Sequence, residues 1–422
     1  MAGESRRDST RDNHIDKVDA KSNEYSVATK YDDNNNTHTP RVFLGAGDDS
    51  LSAYGLQKVV NDVSLFHSAF TFDVSPILWT YHDDDVEVAT TTRAISMGGR
   101  LDVTSGATAG NSCYIKGRRH PRYQPNRGLK WASSIGFKGA NKDGIIKVGL
   151  LEEGENGIYF KTIGDGNLYA CVLSNGIETH AELITFPFNI DIEKGNNYDI
   201  QVQWRGIGDI KYTAFNPSTG LGEVVHFIRL LGTLDEKVGV ENPALPAAYY
   251  TENVTEEVSV WAGCVDITSE GGVLSREQYA STSVSATVST GDAIIELRQP
   301  ELINGKTNSR DILPSRITVS SDKKVDIDLY QARNSVGVTG GSYATFFNGS
   351  YVERNTTITS VTVGSMNLLR TFNVPANFTS VMEVPTRETT DFALVAKDSL
   401  VLVCTTGSVA VVDVTIEWGE EI

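Results

Sequence analysis

Along most of this chain apolar and polar residues alternate one for one. Tyr198-Asp199-Ile200-Gln201-Val202-Gln203-Trp204 sets Tyr, Ile, Val and Trp on one side and Asp, Gln and Gln on the other. Val325-Asp326-Ile327-Asp328-Leu329 repeats the pattern, as does Val412-Asp413-Val414-Thr415-Ile416-Glu417-Trp418. Successive side chains of an extended chain leave opposite faces, so a period of two rich in β-branched and aromatic residues predicts half-buried strands. Ile200, Trp204, Val414 and Trp418 are then expected to face cores.

Turn residues fall between these runs. Asn-Gly occurs at 156–157, 175–176, 304–305 and 348–349, and Gly164-Asp165-Gly166-Asn167 is a further tight reversal. Asn and Gly tolerate the positive φ of two-residue hairpin turns. Residues 155–177 therefore read as a strand–turn–strand–turn meander. Only Leu51 to Phe66 has an apolar spacing that suits a helix, and a strand or loop fits it equally well. Many short strands with few helices predict an all-β chain of two β-sandwich, jelly-roll-like domains. The first is expected over 41–270, closing on the strand Trp261 to Ile267. A Ser/Thr/Ala-rich linker is expected over 271–289, and the second domain over 290–422. Residues 1–40 are polar, with few groups able to offset ordering entropy, and predict an extended N-terminal arm that anchors on a partner.

Charge narrows the partners. The chain of 422 residues has 37 Lys and Arg against 54 Asp and Glu, a formal net charge of −17. That balance opposes binding to nucleic acid or anionic membranes. The concentrated basic run, Lys116-Gly117-Arg118-Arg119-His120, reads as a loop or an ion-pairing segment. Four widely spaced cysteines (Cys113, Cys171, Cys264 and Cys404) lack zinc-ligand spacing, and Cys171 and Cys404 sit in apolar runs that suit buried thiols. The opening residues carry no apolar signal segment, and no apolar run is long enough to span a bilayer. Assembly in a reducing cytoplasm without membrane insertion is the expectation.

The candidate chemistry is sparse. Asp83-Asp84-Asp85 lacks the spacing of a calcium loop and reads as a solvated turn before a strand from Val86. Glu152, Glu153 and Glu155 offer paired carboxylates of the kind glycoside cleavage uses, but they flank Gly154 in a turn. His120, His180 and His226 have no partner at ligand spacing, and Cys113 has no nucleophile motif around it. No catalytic, cofactor or metal residue is assigned, and the chain is expected not to be an enzyme. Aromatics remain: Tyr249-Tyr250 after two prolines and Phe346-Phe347 before an Asn-Gly turn can stack on sugars or pack on a subunit.

The segment Arg122-Tyr123-Gln124-Pro125-Asn126-Arg127-Gly128 resembles the Arg-Tyr-x-Pro-Gly block of a group of tailed-bacteriophage virion structural proteins. Similar features follow in the same order: Glu155-Asn156-Gly157-Ile158-Tyr159-Phe160, then Ile200 to Gly208, then Glu223-Val224-Val225-His226-Phe227, and a Trp418-Gly419-Glu420 ending. Asn126-Arg127 departs from the group by intervening before the glycine. The resemblance implies a virion component of a tail, fibre or head appendage, held by other virion proteins as a homo-oligomer, trimeric if a fibre. An adhesion module for host surface glycans is the alternative. Candidate partner or glycan contacts are Arg122, Tyr123, Tyr249, Tyr250, Phe346 and Phe347. Prolines at 121 and 125 hold the Arg122-Tyr123 pair extended, which also suits a plain crossing between sheets.

Overall fold

A computed structural model describes the chain except for residues 1–13, 21–22, 33–36, 44–61, 72, 77, 84–85, 89–93, 97, 125–126, 205–207, 231–238, 271–276, 304–305, 309, 311, 346–350, 384–393, 395–396 and 422. The protein is all-β, and no α-helix occurs among the described residues. Strands β1 (His14–Ala20), β2 (Asn23–Asp32) and β3 (Thr37–Phe43) pair as an antiparallel meander. The backbone here is thus paired with itself over a stretch expected to be an extended arm.

Among the described residues the first large unit holds sixteen strands: β4 (Val63–Ala69), β5 (Trp79–Asp83), β6 (Val86–Val88), β7 (Ala94–Ser96), β8 (Leu101–Thr104), β9 (Ser112–Gly117), β10 (Gly128–Lys138), β11 (Gly144–Glu152), β12 (Asn156–Thr162), β13 (Tyr169–Ser174), β14 (Ile177–Leu183), β15 (Asn196–Val202), β16 (Ile210–Phe215), β17 (Gly222–Ile228), β18 (Ala247–Asn253) and β19 (Ser259–Glu270). One sheet runs β17-β16-β15-β10-β19-β8-β7, with β4 also on β19; the other runs β14-β13-β12-β11-β18-β9-β5-β6. Their facing sides share one core. Its centre is aromatic: Phe160 lies edge-on to Tyr198 at 5.3 Å and to Tyr212 at 5.1 Å, and Trp131 is fully buried beside them. Edge-to-face rings match a positive rim to a negative face, which adds to the burial. The expected alternation holds on β15, where Tyr198, Ile200 and Val202 enter this core. Trp204 continues the same side but stays half-buried, donating its indole N–H to the Val240 carbonyl at 2.8 Å.

The second unit has its own core, built from Ile327, Leu329, Val412, Val414, Ile416 and Trp418 among others. The run expected to be a linker over 271–289 is a correction: Glu277–Val288 is a strand, paired along its length with Ala410–Glu421. Small inward residues (Ala280, Val284, Ala286) alternate with exposed Ser281, Ser283 and Ser285, so its apolar side was too slight to stand out. Of Leu51 to Phe66, residues 63–66 lie in β4, and 51–61 are outside the described residues.

The two units touch at one end of the first sandwich. Arg118, just after β9, forms a buried ion pair with Asp398. Glu155, in the β11–β12 turn, accepts a hydrogen bond from the Thr307 hydroxyl at 2.6 Å.

Candidate ligand-contact face

Strands β9, β18, β11, β12 and β13 send alternate residues away from the core, and their register stacks these into rows. Tyr114 lies opposite Tyr250, Tyr250 opposite Lys147, Lys147 opposite Lys161, and Lys161 opposite Tyr169. The next row runs Lys116, Ala248, Gly149, Tyr159, Cys171. Directly opposed residues in a sheet are within contact distance, so the rows stack rings and ammonium groups into one layer, in which Tyr114 and Tyr159 are buried and Tyr250, Lys147, Lys161 and Tyr169 stay half-buried. A Cβ at Gly149 would meet Tyr159 Cα at 2.8 Å, and one at Gly157 would meet the Tyr159 ring at 2.9 Å. The two glycines make the hollow in which that ring lies.

Acidic side chains bind the polar heads. Tyr159 Oη donates to Glu178 Oε2 at 2.6 Å, and Lys161 Nζ donates to Glu178 Oε1 at 2.9 Å. Lys147 Nζ donates to Glu153 Oε1 at 2.6 Å while standing 4.7 Å from the Tyr250 ring centroid. Tyr114 Oη donates to the Leu151 carbonyl at 2.8 Å. Burial, reinforced by nearby carboxylates, raises the hydroxyls of Tyr114, Tyr159 and Tyr250, so they remain donors at neutral pH. The second Glu153 oxygen, Oε2, is buried with no hydrogen-bond partner. An unpaired buried acceptor is costly, and its partner oxygen is the one that holds Lys147.

Beside this face, Glu152 accepts from Lys116 and from His120 Nε2, the latter at 3.0 Å. Burial pushes its carboxyl up, but the His120 hydrogen bond and the charges of Lys116 and His120 outweigh it and hold the group down at about 2. Glu152 is therefore a fixed anion, suited to accept hydrogen bonds but not to act as a general acid or base near neutrality.

The candidate contacts separate. Tyr250 belongs to the face. Tyr249, its neighbour, points the opposite way into the core, fully buried against Phe70 and Trp79 with its hydroxyl 3.0 Å from Ser133 Oγ. It cannot meet a partner, as strand alternation requires once Tyr250 faces out. Tyr123 is buried and packs edge-on to Trp204 at 5.6 Å, which supports the crossing between sheets as its role; Arg122 beside it is half-buried. Phe346 and Phe347 lie outside the described residues. Asp83 ends β5, while 84–85 are also outside them, and no group of three or more His, Cys, Asp or Glu able to hold a metal occurs among the described residues. His226 pairs with Glu182 at 2.9 Å, and half-buried His180 contacts Thr179. Tyr114, Tyr159, Lys147, Lys161 and Glu178 escaped sequence reasoning. Each strand shows its own alternation, but only the pairing register brings the tyrosines and lysines together.

No protein-family model and no curated protein matches this chain. Solved structures of similar fold do. A lichenase from a mouse hindgut metagenome is 10% identical with a TM-score of 0.34, over 48% of this chain and 97% of that one. A family 16 glycosyl hydrolase from Mycobacterium smegmatis is 11% identical with a TM-score of 0.36, over 49% and 100%. A protein of unknown function from Shewanella oneidensis is 11% identical with a TM-score of 0.35, over 55% and 97%. Likenesses of this degree concern the β-sandwich fold of about half the chain. They correct one expectation. Glycoside hydrolases stand among these neighbours, so the expectation that the chain is not an enzyme is withdrawn, with no activity assigned in its place.

Proposed function

We propose that this chain is a subunit of a tailed-phage virion appendage whose first sandwich meets a host-surface glycan through the Tyr114-Tyr250-Lys147-Lys161 face. The observation that carries the glycan reading is the half-buried Tyr250 ring with the Lys147 ammonium, anchored by Glu153, 4.7 Å from its centroid. A sugar ring offers apolar C–H faces for stacking on tyrosine and hydroxyl oxygens that accept from an ammonium, so it meets both groups at once. The virion reading is supported by the ordered residue blocks around Arg122-Tyr123, Asn156-Gly157 and Trp204. On this reading residues 1–40 join the chain to neighbouring virion proteins or to copies of itself in a closed ring, trimeric in a fibre. The test is competition: purified protein should block adsorption of the phage to its host, and Lys147→Ala should weaken that block at least tenfold. Unchanged competition by the variant removes this face from the reading. Assaying the same mixtures for released oligosaccharide reports whether the glycan is also cut.

A further inference from the structure

The first sandwich has a cavity of about 360 Å³ at the end away from the second unit. Three connections form it: residues 139–143 between β10 and β11, 163–168 between β12 and β13, and 184–195 between β14 and β15. Backbone hydrogen bonds tie them together, Gly166 N to Ala140 O, Ile184 N to Leu168 O and Phe137 N to Ile192 O, each 2.9 Å. The cup is therefore held by main chain and exists without a ligand. Its floor is apolar and buried, from Ala140, Leu168, Ile184 and Ile192, with half-buried Phe186 and Ile190 beside it. Its rim is polar and exposed: Asn141, Asn167, Asp191 and Glu193. β11 runs its nine residues from this end to the Glu155 turn that touches Thr307, so the cup lies roughly 25–30 Å from the contact between units.

We propose that this cup is a second, separate ligand site that takes a single neutral sugar ring. The volume is in the range of small-molecule sites, and apolar floor with a few convergent polar groups is their usual chemistry. Phe186 supplies a stacking face, and the two amides and two carboxylates supply donors and acceptors for ring hydroxyls. Asp191 is already engaged by Lys194 at 3.1 Å, which leaves Glu193 as the rim's charge and sets it against anionic sugars. The site shares no residue with the tyrosine face, and it faces away from the second unit.

Saturation-transfer NMR on the whole chain tests it, with neutral gluco-, galacto- and manno-configured monosaccharides and disaccharides as probes and N-acetylneuraminic acid as the anionic control. Transfer to at least one neutral sugar is expected, falling at least tenfold in Glu193→Trp, which fills the cup from an exposed position, and in Phe186→Ala. The fall is read in the Tyr250→Ala background, which removes the tyrosine face's own share of the transfer and leaves the cup intact. No transfer to any neutral sugar, undiminished transfer in Glu193→Trp, or stronger transfer to the anionic control overturns the proposal. Transfer lost in Tyr250→Ala but kept in Glu193→Trp also overturns it, while leaving the tyrosine face standing. Thermal melting of Glu193→Trp within a few degrees of the parent shows that the loss is local.

Discussion

At the scale of single residues, Glu152 has the clearest consequence for pH. Its carboxyl titrates at about 2 in the folded chain, below its ordinary value of 4.5. A depressed carboxyl contributes stability that is present above the unfolded value and is lost as pH falls through the folded one. The parent should therefore lose on the order of 3 kcal/mol between about pH 4.5 and 2 through this group, and Glu152→Gln should lack that component. Denaturant melts across that window check it; equal slopes for parent and variant contradict the assignment. Core tryptophans are ranked in the same way. Trp131 is fully buried whereas Trp204 is half-buried, so Trp131→Ala should cost about 3–5 kcal/mol and Trp204→Ala less. Equal costs would mean that Trp204 is packed as deeply as Trp131.

At the scale of elements, turns hold the register on which the face depends. Asn175 and Gly176 join β13 to β14 with φ of 51° and 75°, the left-handed pair of a tight hairpin. A Cβ at Gly176 would also stand 3.0 Å from the Gly154 carbonyl. Gly176→Val should destabilise the chain by about 1–2 kcal/mol, read from urea melts, and an unchanged midpoint would count against this turn geometry. These elements were legible in sequence because alternation and Asn-Gly pairs are local signals: β12 and β13 with their turns fall where 155–177 predicted a meander, and β14 begins at its end. The strand Glu277–Val288 was not, because Ala and Ser differ too little in polarity to mark two faces. The candidate site was half legible. Tyr250 was picked out by its aromatic neighbour, yet that neighbour, Tyr249, is core, and the rows linking Tyr250 to Lys147 and Lys161 arise from long-range pairing that no single strand encodes.

At the scale of the whole molecule, the contact between units carries a second pH dependence of opposite sign. Burial lifts the Asp398 carboxyl to about 6, and the charges of Arg118 and Arg333 with the Gln331 hydrogen bond only partly oppose it. A carboxyl raised in the folded state contributes stability present below its unfolded value and lost as pH rises through about 6. Asp398→Asn should flatten the change in melting temperature between about pH 4 and 6; a profile identical to the parent's would show that the group titrates normally. For the chain's place in a particle, deleting residues 1–40 should leave a protein that melts cooperatively but fails to enter virions in complementation. Normal incorporation would separate this segment from assembly.

The central claim is that the first sandwich binds a glycan through one face of one sheet, and calorimetric titration of purified host-surface polysaccharide tests it most directly. The parent should bind, and Tyr250→Ala, which removes the ring beneath Lys147 from outside the main core between the sheets, should weaken binding at least tenfold while the chain still melts cooperatively. Equal affinity of Tyr250→Ala and the parent, or no binding by the parent at all, would contradict the account.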